Sequence, residues 1–321
     1  MSVFVTALTV IFAVAASLNL VGMFSDSALF YGRSIIVLFF LLFWAGFGFL
    51  LSLSLAIFKK NPLGQWAAGR LFYYSASALT GLKIIIENEE ILSSHGPAII
   101  IANHQSELDV FMLGRLFPKQ CSVTAKSSLK YFPFLGWFML ASGCVFIDRG
   151  NRGKAVKALD GAIIKMKERQ RSVFIFPEGT RSYFSKPELL PFKRGAFHLA
   201  LQSGFPVIPV VVENYSHLVS AKKRIFKAGT FRLRVLPPVT LEGVTADTLG
   251  DAVDKIRVDM LKVLKEISPP VEPEPEPQSS LTPESSTEIT SESAALLTPN
   301  ADSSDESQKS PLLSTPESKT D

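Results

Sequence analysis

The tightest constraint on this chain is a pair of long uncharged stretches near its N-terminus. Val3 to Phe24 and Ser34 to Phe58 contain no Asp, Glu, Lys or Arg. Each is long enough to cross the hydrocarbon core of a bilayer as a helix. An N-terminal hydrophobic helical hairpin over residues 1–65 is therefore expected. The first stretch begins without charge and lacks a convincing small-residue cleavage site, which argues against a removed signal peptide. Asp26 and Arg33 in the short connection cancel, and Lys59-Lys60 closes the second stretch. Lys59, Lys60 and Arg70 should then stay on the cytosolic side, with the N-terminus and the body of the chain. The alternatives are segments that lie in the membrane interface, or a first segment buried as a core helix.

Composition agrees with a lipid setting. Apolar residues make up 47% of the 321 positions, high for a soluble protein. The net charge of +4 conceals an asymmetry. From Pro269 onward there are eight Glu and three Asp against two Lys, a net of −9, which leaves +13 on the remainder. A basic body behind apolar segments points to anionic headgroups or phosphorylated substrates. Nucleic acid fits poorly, because no recognition motif accompanies the charge. Cys121 and Cys144 make no disulfide framework and, with four scattered histidines, no metal-ligand spacing, so no metal is expected.

Residues 66–268 alternate strand-like and helical patterns. Strands are expected at Lys83 to Glu87, Ala98 to Ala102, Ser122 to Ala125, Cys144 to Asp148, Val173 to Phe176, Val207 to Val212 and Phe231 to Leu236. Helices fit Trp66 to Leu82, Asp109 to Phe117, Gly153 to Arg169, Arg194 to Ser203 and Ala246 to Ile267. This order predicts an α/β fold with a mostly parallel sheet flanked by helices and a site at the carboxyl ends of its strands. Tyr131 to Phe146 is a third apolar stretch, but Pro133 and its glycines make it a poor span. It is read as core, as the lining of an acyl-chain groove, or as a mixture of the two. Residues 269–321 are rich in Pro, Glu, Ser and Thr without an aromatic, the composition of a disordered tail.

The chemistry centres on Asn103-His104-Gln105-Ser106-Glu107-Leu108-Asp109. A β-branched run stops at this motif and a helix begins near Asp109, which leaves His104 in the turn with Asp109 able to fold back to it. An Asp on one imidazole nitrogen fixes the tautomer and frees the other nitrogen to take a proton. Alone, a His and an Asp five places apart recur by chance. Downstream, Phe176-Pro177-Glu178-Gly179-Thr180-Arg181-Ser182 follows a strand with a tight turn. There Gly179 lets backbone approach a ligand, Thr180 offers a hydroxyl, and Arg181 presents a planar fork suited to phosphate. Gly143 to Arg149 repeats the plan, a strand ending in an Arg.

The blocks NHQSELD, GCVFIDR, FPEGTRS and VIPVV (Val207 to Val211), in this order and spacing, resemble the glycerolipid acyltransferase superfamily. The chain looks most like its 1-acylglycerol-3-phosphate acyltransferases of fungal type, over about Trp66 to Val239. The resemblance implies His104 as base and Asp109 as its partner. It implies Glu178, Gly179, Thr180 and Arg181 as the acceptor-binding block with Arg181 on the phosphate, joined by Arg149 and by Lys126. Pro209 falls in the fourth block, tied more to folding and donor fit.

The implied reaction moves an acyl group from acyl-CoA, a co-substrate, to the 2-hydroxyl of lysophosphatidic acid, giving phosphatidic acid and CoA without a cofactor. The thioester is already activated, so no enzyme nucleophile is needed; Ser106 lies outside any Gly-x-Ser-x-Gly elbow. The expected setting is the endoplasmic reticulum membrane with the domain facing the cytosol. Another lysophospholipid acceptor, or a non-catalytic protein that binds phosphatidic acid, are the competing readings.

Overall fold

The structure is a computed structural model that describes residues 2–270 apart from Met23, Lys59 and Arg149. The tail expected from 269 onward therefore lies outside the described residues beyond Pro270, and so does the Arg149 assignment.

Two helices open the chain, α1 (Ser2–Val21) and α2 (Asp26–Ala56), and pack against each other. The expected hairpin is present, with one boundary corrected. Asp26 and Arg33 are not in a connection but inside α2, which Ser25 caps by accepting the Ala28 amide. Arg33 tolerates a half-buried place because its guanidinium donates to the Phe226 carbonyl at 2.8 Å. Among the described residues α2 is the one helix long and apolar enough to cross a membrane. It is also held along its length by the rest of the protein. Trp44 donates to Ser75 of the next helix at 3.1 Å, and Gly48 lies so close to Phe138 and Ala68 that an added Cβ would collide with both.

Helix α3 (Pro62–Thr80) starts on Pro62, whose missing N–H costs nothing in a first turn, and stops at Gly81, which takes the left-handed conformation with φ 74°. Then follow β1 (Leu82–Glu87), the short α4 (Ile91–Ser94), β2 (Ile99–Ala102), α5 (Asp109–Leu116) and β3 (Cys121–Lys126). A 3-10 turn (Ser127–Tyr131) leads to α6 (Leu135–Ser142), β4 (Val145–Ile147), α7 (Arg152–Arg169) and β5 (Ser172–Ile175). The chain continues through α8 (Gly195–Ser203), β6 (Val207–Val212), the hairpin β7 (Val219–Ser220) and β8 (Ile225–Phe226), β9 (Gly229–Val235) and α9 (Leu249–Ile267).

Seven strands form one sheet in the order β1-β9-β6-β2-β5-β3-β4. Neighbours run parallel except β6 with β9. The expected architecture is borne out. Strand β2 lies centrally between β5 and β6, and its alternation sorts the core into two layers. Ile100 and Ala102 face α3 and α5 through Phe72, Phe111 and Met112. Ile99 and Ile101 face α7, α8 and α9 through Met166, Phe197 and Met260. Burial on both faces is why the β2 and β6 sequences run apolar without alternation.

The Tyr131–Phe146 stretch divides in a way that neither core nor groove lining covers. Leu135, Phe138 and Met139 turn inward, while Tyr131, Phe134, Trp137 and Leu140 are exposed. Phe43, Phe47, Leu50 and Leu53 of α2 are exposed as well, apolar side chains of the kind that contact lipid or a partner.

Candidate active site

The site forms where β2, β3 and β5 end. Ala102 closes β2, and the chain turns outward before α5 starts at Asp109. Asn103 keeps this turn attached to the sheet. Its amide donates to the Val212 carbonyl at 2.9 Å and its oxygen accepts the Val212 amide at 2.8 Å, so a side chain continues the β2–β6 ladder. Gln105 adds bonds to the carbonyls of Val212 and Glu213.

Within this brace, His104 Nδ1 donates to Asp109 Oδ2 at 2.6 Å. Asp109 is 2% exposed and fully engaged. Its Oδ2 also accepts the amides of Gln105 (2.7 Å) and Ser106 (3.2 Å), and its Oδ1 accepts the Tyr215 hydroxyl (2.7 Å). Such a set holds the carboxylate as a pure acceptor and leaves the imidazole proton on Nδ1. Tyr215 is buried, and burial reinforced by Asp109 pushes its phenol well above the usual range, so it remains a donor. The Ser106 hydroxyl faces Tyr215 at 2.8 Å. Phe176 stacks on the imidazole, with centroids 4.0 Å apart and planes 16° from parallel.

The second block reaches the same place from β5. Glu178 is buried below His104, where its oxygens accept the backbone amides of His104 (2.7 Å) and Leu190 (3.0 Å). Burial raises its carboxyl above the usual range, partly opposed by those two bonds. Gly179 has φ 69°, a left-handed conformation that favours glycine, and the tip of the Lys193 side chain crosses it. Beyond Arg181 the chain pairs with the first block. The Ser182 amide donates to the His104 carbonyl at 2.9 Å, and the Tyr183 amide donates to the Gln105 carbonyl at 3.1 Å.

His104, Lys126, Thr180 and Arg181 line one cavity of about 390 Å³. Its interior is apolar, walled by Trp44 of α2, Phe72 of α3, Leu113 of α5 and Phe138 of α6, with Phe117 and Val123. The predicted residues thus converge: four line the cavity, and Asp109 and Glu178 stand behind His104. Three participants were not found in the sequence. Tyr215 sits 106 positions from Asp109, and only the adjacency of β6 to β2 brings it there. Phe176 was read as the end of a strand. Glu107, inside the first block, pairs with Arg181 at 2.7 Å and accepts the Tyr183 hydroxyl at 2.6 Å. Among the described residues no cluster of His, Cys, Asp or Glu could hold a metal ion.

A doubly covered parallel sheet with a paired His and Asp at its carboxyl edge, beside an Arg and an apolar cavity, has the parts of an acyl-transfer enzyme. The family model described as acyltransferase matches residues 83–213. A 1-acyl-sn-glycerol-3-phosphate acyltransferase of Saccharomyces cerevisiae is 46% identical over 74% of this chain and 78% of its own length. The alpha form of the enzyme of that name from Homo sapiens is 32% identical over 70% of this chain and 79% of its own. In three dimensions, the crystal structure of the 1-acyl-sn-glycerophosphate (LPA) acyltransferase PlsC from Thermotoga maritima matches with a TM-score of 0.60 and 25% identity. It covers 76% of this chain and 97% of that one. The chain belongs to the 1-acyl-sn-glycerol-3-phosphate acyltransferase family.

Proposed function

We propose that this chain transfers an acyl group from acyl-CoA to the 2-hydroxyl of lysophosphatidic acid, releasing phosphatidic acid and CoA at the cytosolic face of the endoplasmic reticulum membrane. The observation that carries the reading is the 2.6 Å His104–Asp109 bond at the wall of a cavity that Arg181 also lines. With Nδ1 occupied, Nε2 is the nitrogen left to act as base. It takes the acceptor's hydroxyl proton as that oxygen bonds to the thioester carbon. Collapse of the tetrahedral intermediate breaks the carbon–sulfur bond, and the imidazolium returns the proton to the departing thiolate. A positioned base contributes about 100- to 10,000-fold, so holding both substrates in register supplies much of the remainder.

Other groups take supporting parts. Arg181, with Thr180 and Lys126, receives the phosphate, and Arg149 is assigned to it by resemblance. Glu178 positions His104 through its backbone, and Gly179 permits the turn. The hydroxyl of Ser106 is committed to Tyr215, which agrees with direct transfer and no acyl-enzyme. The apolar interior suits an acyl chain, and the exposed aromatic face of α2 and α6 suits a lipid surface from which that chain enters.

The test is a panel of lysolipids with one acyl-CoA and thiol detection, run on wild type and His104→Ala. Lysophosphatidic acid should be the preferred acceptor, and the variant should lose about 1,000-fold or more in kcat while keeping its expression and membrane attachment. Comparable turnover in the variant refutes the base; a better acceptor with a larger headgroup refutes the specificity.

A further inference from the structure

The mouth of the cavity holds a carboxylate that the proposed reaction does not use. Glu107 projects from the turn between β2 and α5, three residues past the base, and its side chain is 60% exposed. The same oxygen, Oε1, accepts from Arg181 Nη1 at 2.7 Å and from the Tyr183 hydroxyl at 2.6 Å. Tyr183 closes the triangle, since its hydroxyl accepts from Arg181 Nη1 at 3.2 Å. Burial alone would push the Glu107 carboxyl up; the Tyr183 bond, its own backbone amide and the neighbouring positive charge, Arg181 foremost, together outweigh it and hold it below the usual range. At neutral pH the guanidinium therefore already has an anion.

That arrangement conflicts with the task given to Arg181. One arm of the fork that should receive a phosphate at this rim, Nη1, is engaged by an internal carboxylate, and a phosphate arriving beside an unmoved Glu107 would meet a like charge. Glu107 has room to leave. It lies at the surface and none of its described hydrogen bonds reaches the buried network behind His104. The backbone bonds of Ser182 and Tyr183 keep the main chain that carries Arg181 in place when the carboxylate swings away.

We propose that Glu107 is an internal stand-in for the acceptor's phosphate, holding Arg181 oriented while the site is empty and yielding it when the acceptor enters. Tyr183 is the latch on this positioning residue. The inference rests on Arg181 being the phosphate site and adds that phosphate binds by exchange with a carboxylate. Its chemical consequence is a common exchange cost. Every anion that reaches this guanidinium, inorganic phosphate included, first displaces Glu107, so removing the carboxylate tightens all of them together.

The experiment uses the full-length protein in its membrane, at fixed acyl-CoA. It measures KM for lysophosphatidic acid and the Ki of inorganic phosphate as competitor in wild type, Glu107→Gln, Tyr183→Phe and Arg181→Ala. Releasing an exposed ion pair predicts that Glu107→Gln lowers both constants by about two- to fivefold with kcat nearly unchanged. Tyr183→Phe should move both the same way by less, and combining Glu107→Gln with Arg181→Ala should shrink the gain. A raised or unchanged KM in Glu107→Gln, beside a raised KM in Arg181→Ala, overturns the stand-in and leaves the phosphate site standing. An unchanged KM in Arg181→Ala refutes the phosphate site, and the stand-in with it.

Discussion

Two hydrogen-bonded clusters sit within a few residues of one another in this molecule and are built on opposite plans. Around Asp109 the carboxylate oxygens accept from the His104 imidazole, two backbone amides and a buried phenol, and the carboxylate is almost sealed from solvent. Around Arg181 the partners are long exposed side chains, Glu107 and Tyr183, joined in one small triangle at the cavity mouth. The first cluster has no alternative arrangement at comparable energy, because any departure strands a buried polar group at about 1–3 kcal/mol. The second can exchange partners, because exposed ion pairs are worth only about 0–1 kcal/mol. These plans suit the roles proposed for them, a base in place before its substrate arrives and a headgroup clamp that opens to admit one. The contrast predicts that variants of the buried cluster lose kcat and stability, and that variants of the rim change KM.

The severest break is Asp109→Asn. An amide at that position offers the imidazole the wrong hydrogen-bonding sense, and kcat should fall by about 1,000- to 10,000-fold with KM little changed. A mainly KM effect would erase the distinction. Arg181→Ala should raise KM for lysophosphatidic acid about 10- to 100-fold, the cost of a charge-assisted contact, while the melting temperature stays near wild type. Tyr215→Phe removes one bond to Asp109 from a site 2% exposed; about 2 kcal/mol of stability, or roughly 4–8 °C in Tm, should go with a smaller loss in kcat.

The gentlest test compares two carboxylates with opposite displacement. Glu178, raised by burial, contributes stability that is present at acid pH and lost as pH rises through its folded value. Glu107, lowered by Tyr183 and Arg181 against its burial, contributes stability present near neutrality and lost as pH falls through its folded value. Relative to wild type, Glu178→Gln should therefore look better at pH 7 than at pH 4, and Glu107→Gln slightly worse. Parallel slopes in thermal melts between those pH values would show that the two environments do not differ as described.

Local chemistry decided how much of this was legible. The members of the His104–Asp109 pair lie within a few residues of one another, as do those of the Pro177-Glu178-Gly179 turn, so each is visible in a short window of sequence. The strands were legible because β2 and β6 are apolar on both faces, as central parallel strands must be. Tyr215 and the Glu107–Arg181 pair depend on which strands become neighbours, information that no short window holds. The start of α2 was misplaced for a related reason. Asp26 and Arg33 look like loop residues until the Phe226 carbonyl, 193 positions away, is seen to satisfy the guanidinium. Helix α6 was hidden by Pro133, which precedes it, and by Phe134, whose φ of 60° no propensity anticipates.

The pairing of Ser182 and Tyr183 with the carbonyls of His104 and Gln105 has a consequence for regiochemistry. Two rungs of backbone tie the main chains that carry His104 and Arg181 to a common frame, so the gap between their Cα positions is set by peptide geometry. Such a frame acts as a caliper. Under the roles proposed for His104 and Arg181, a glycerol anchored by its phosphate would meet the base at an oxygen a fixed number of bonds away.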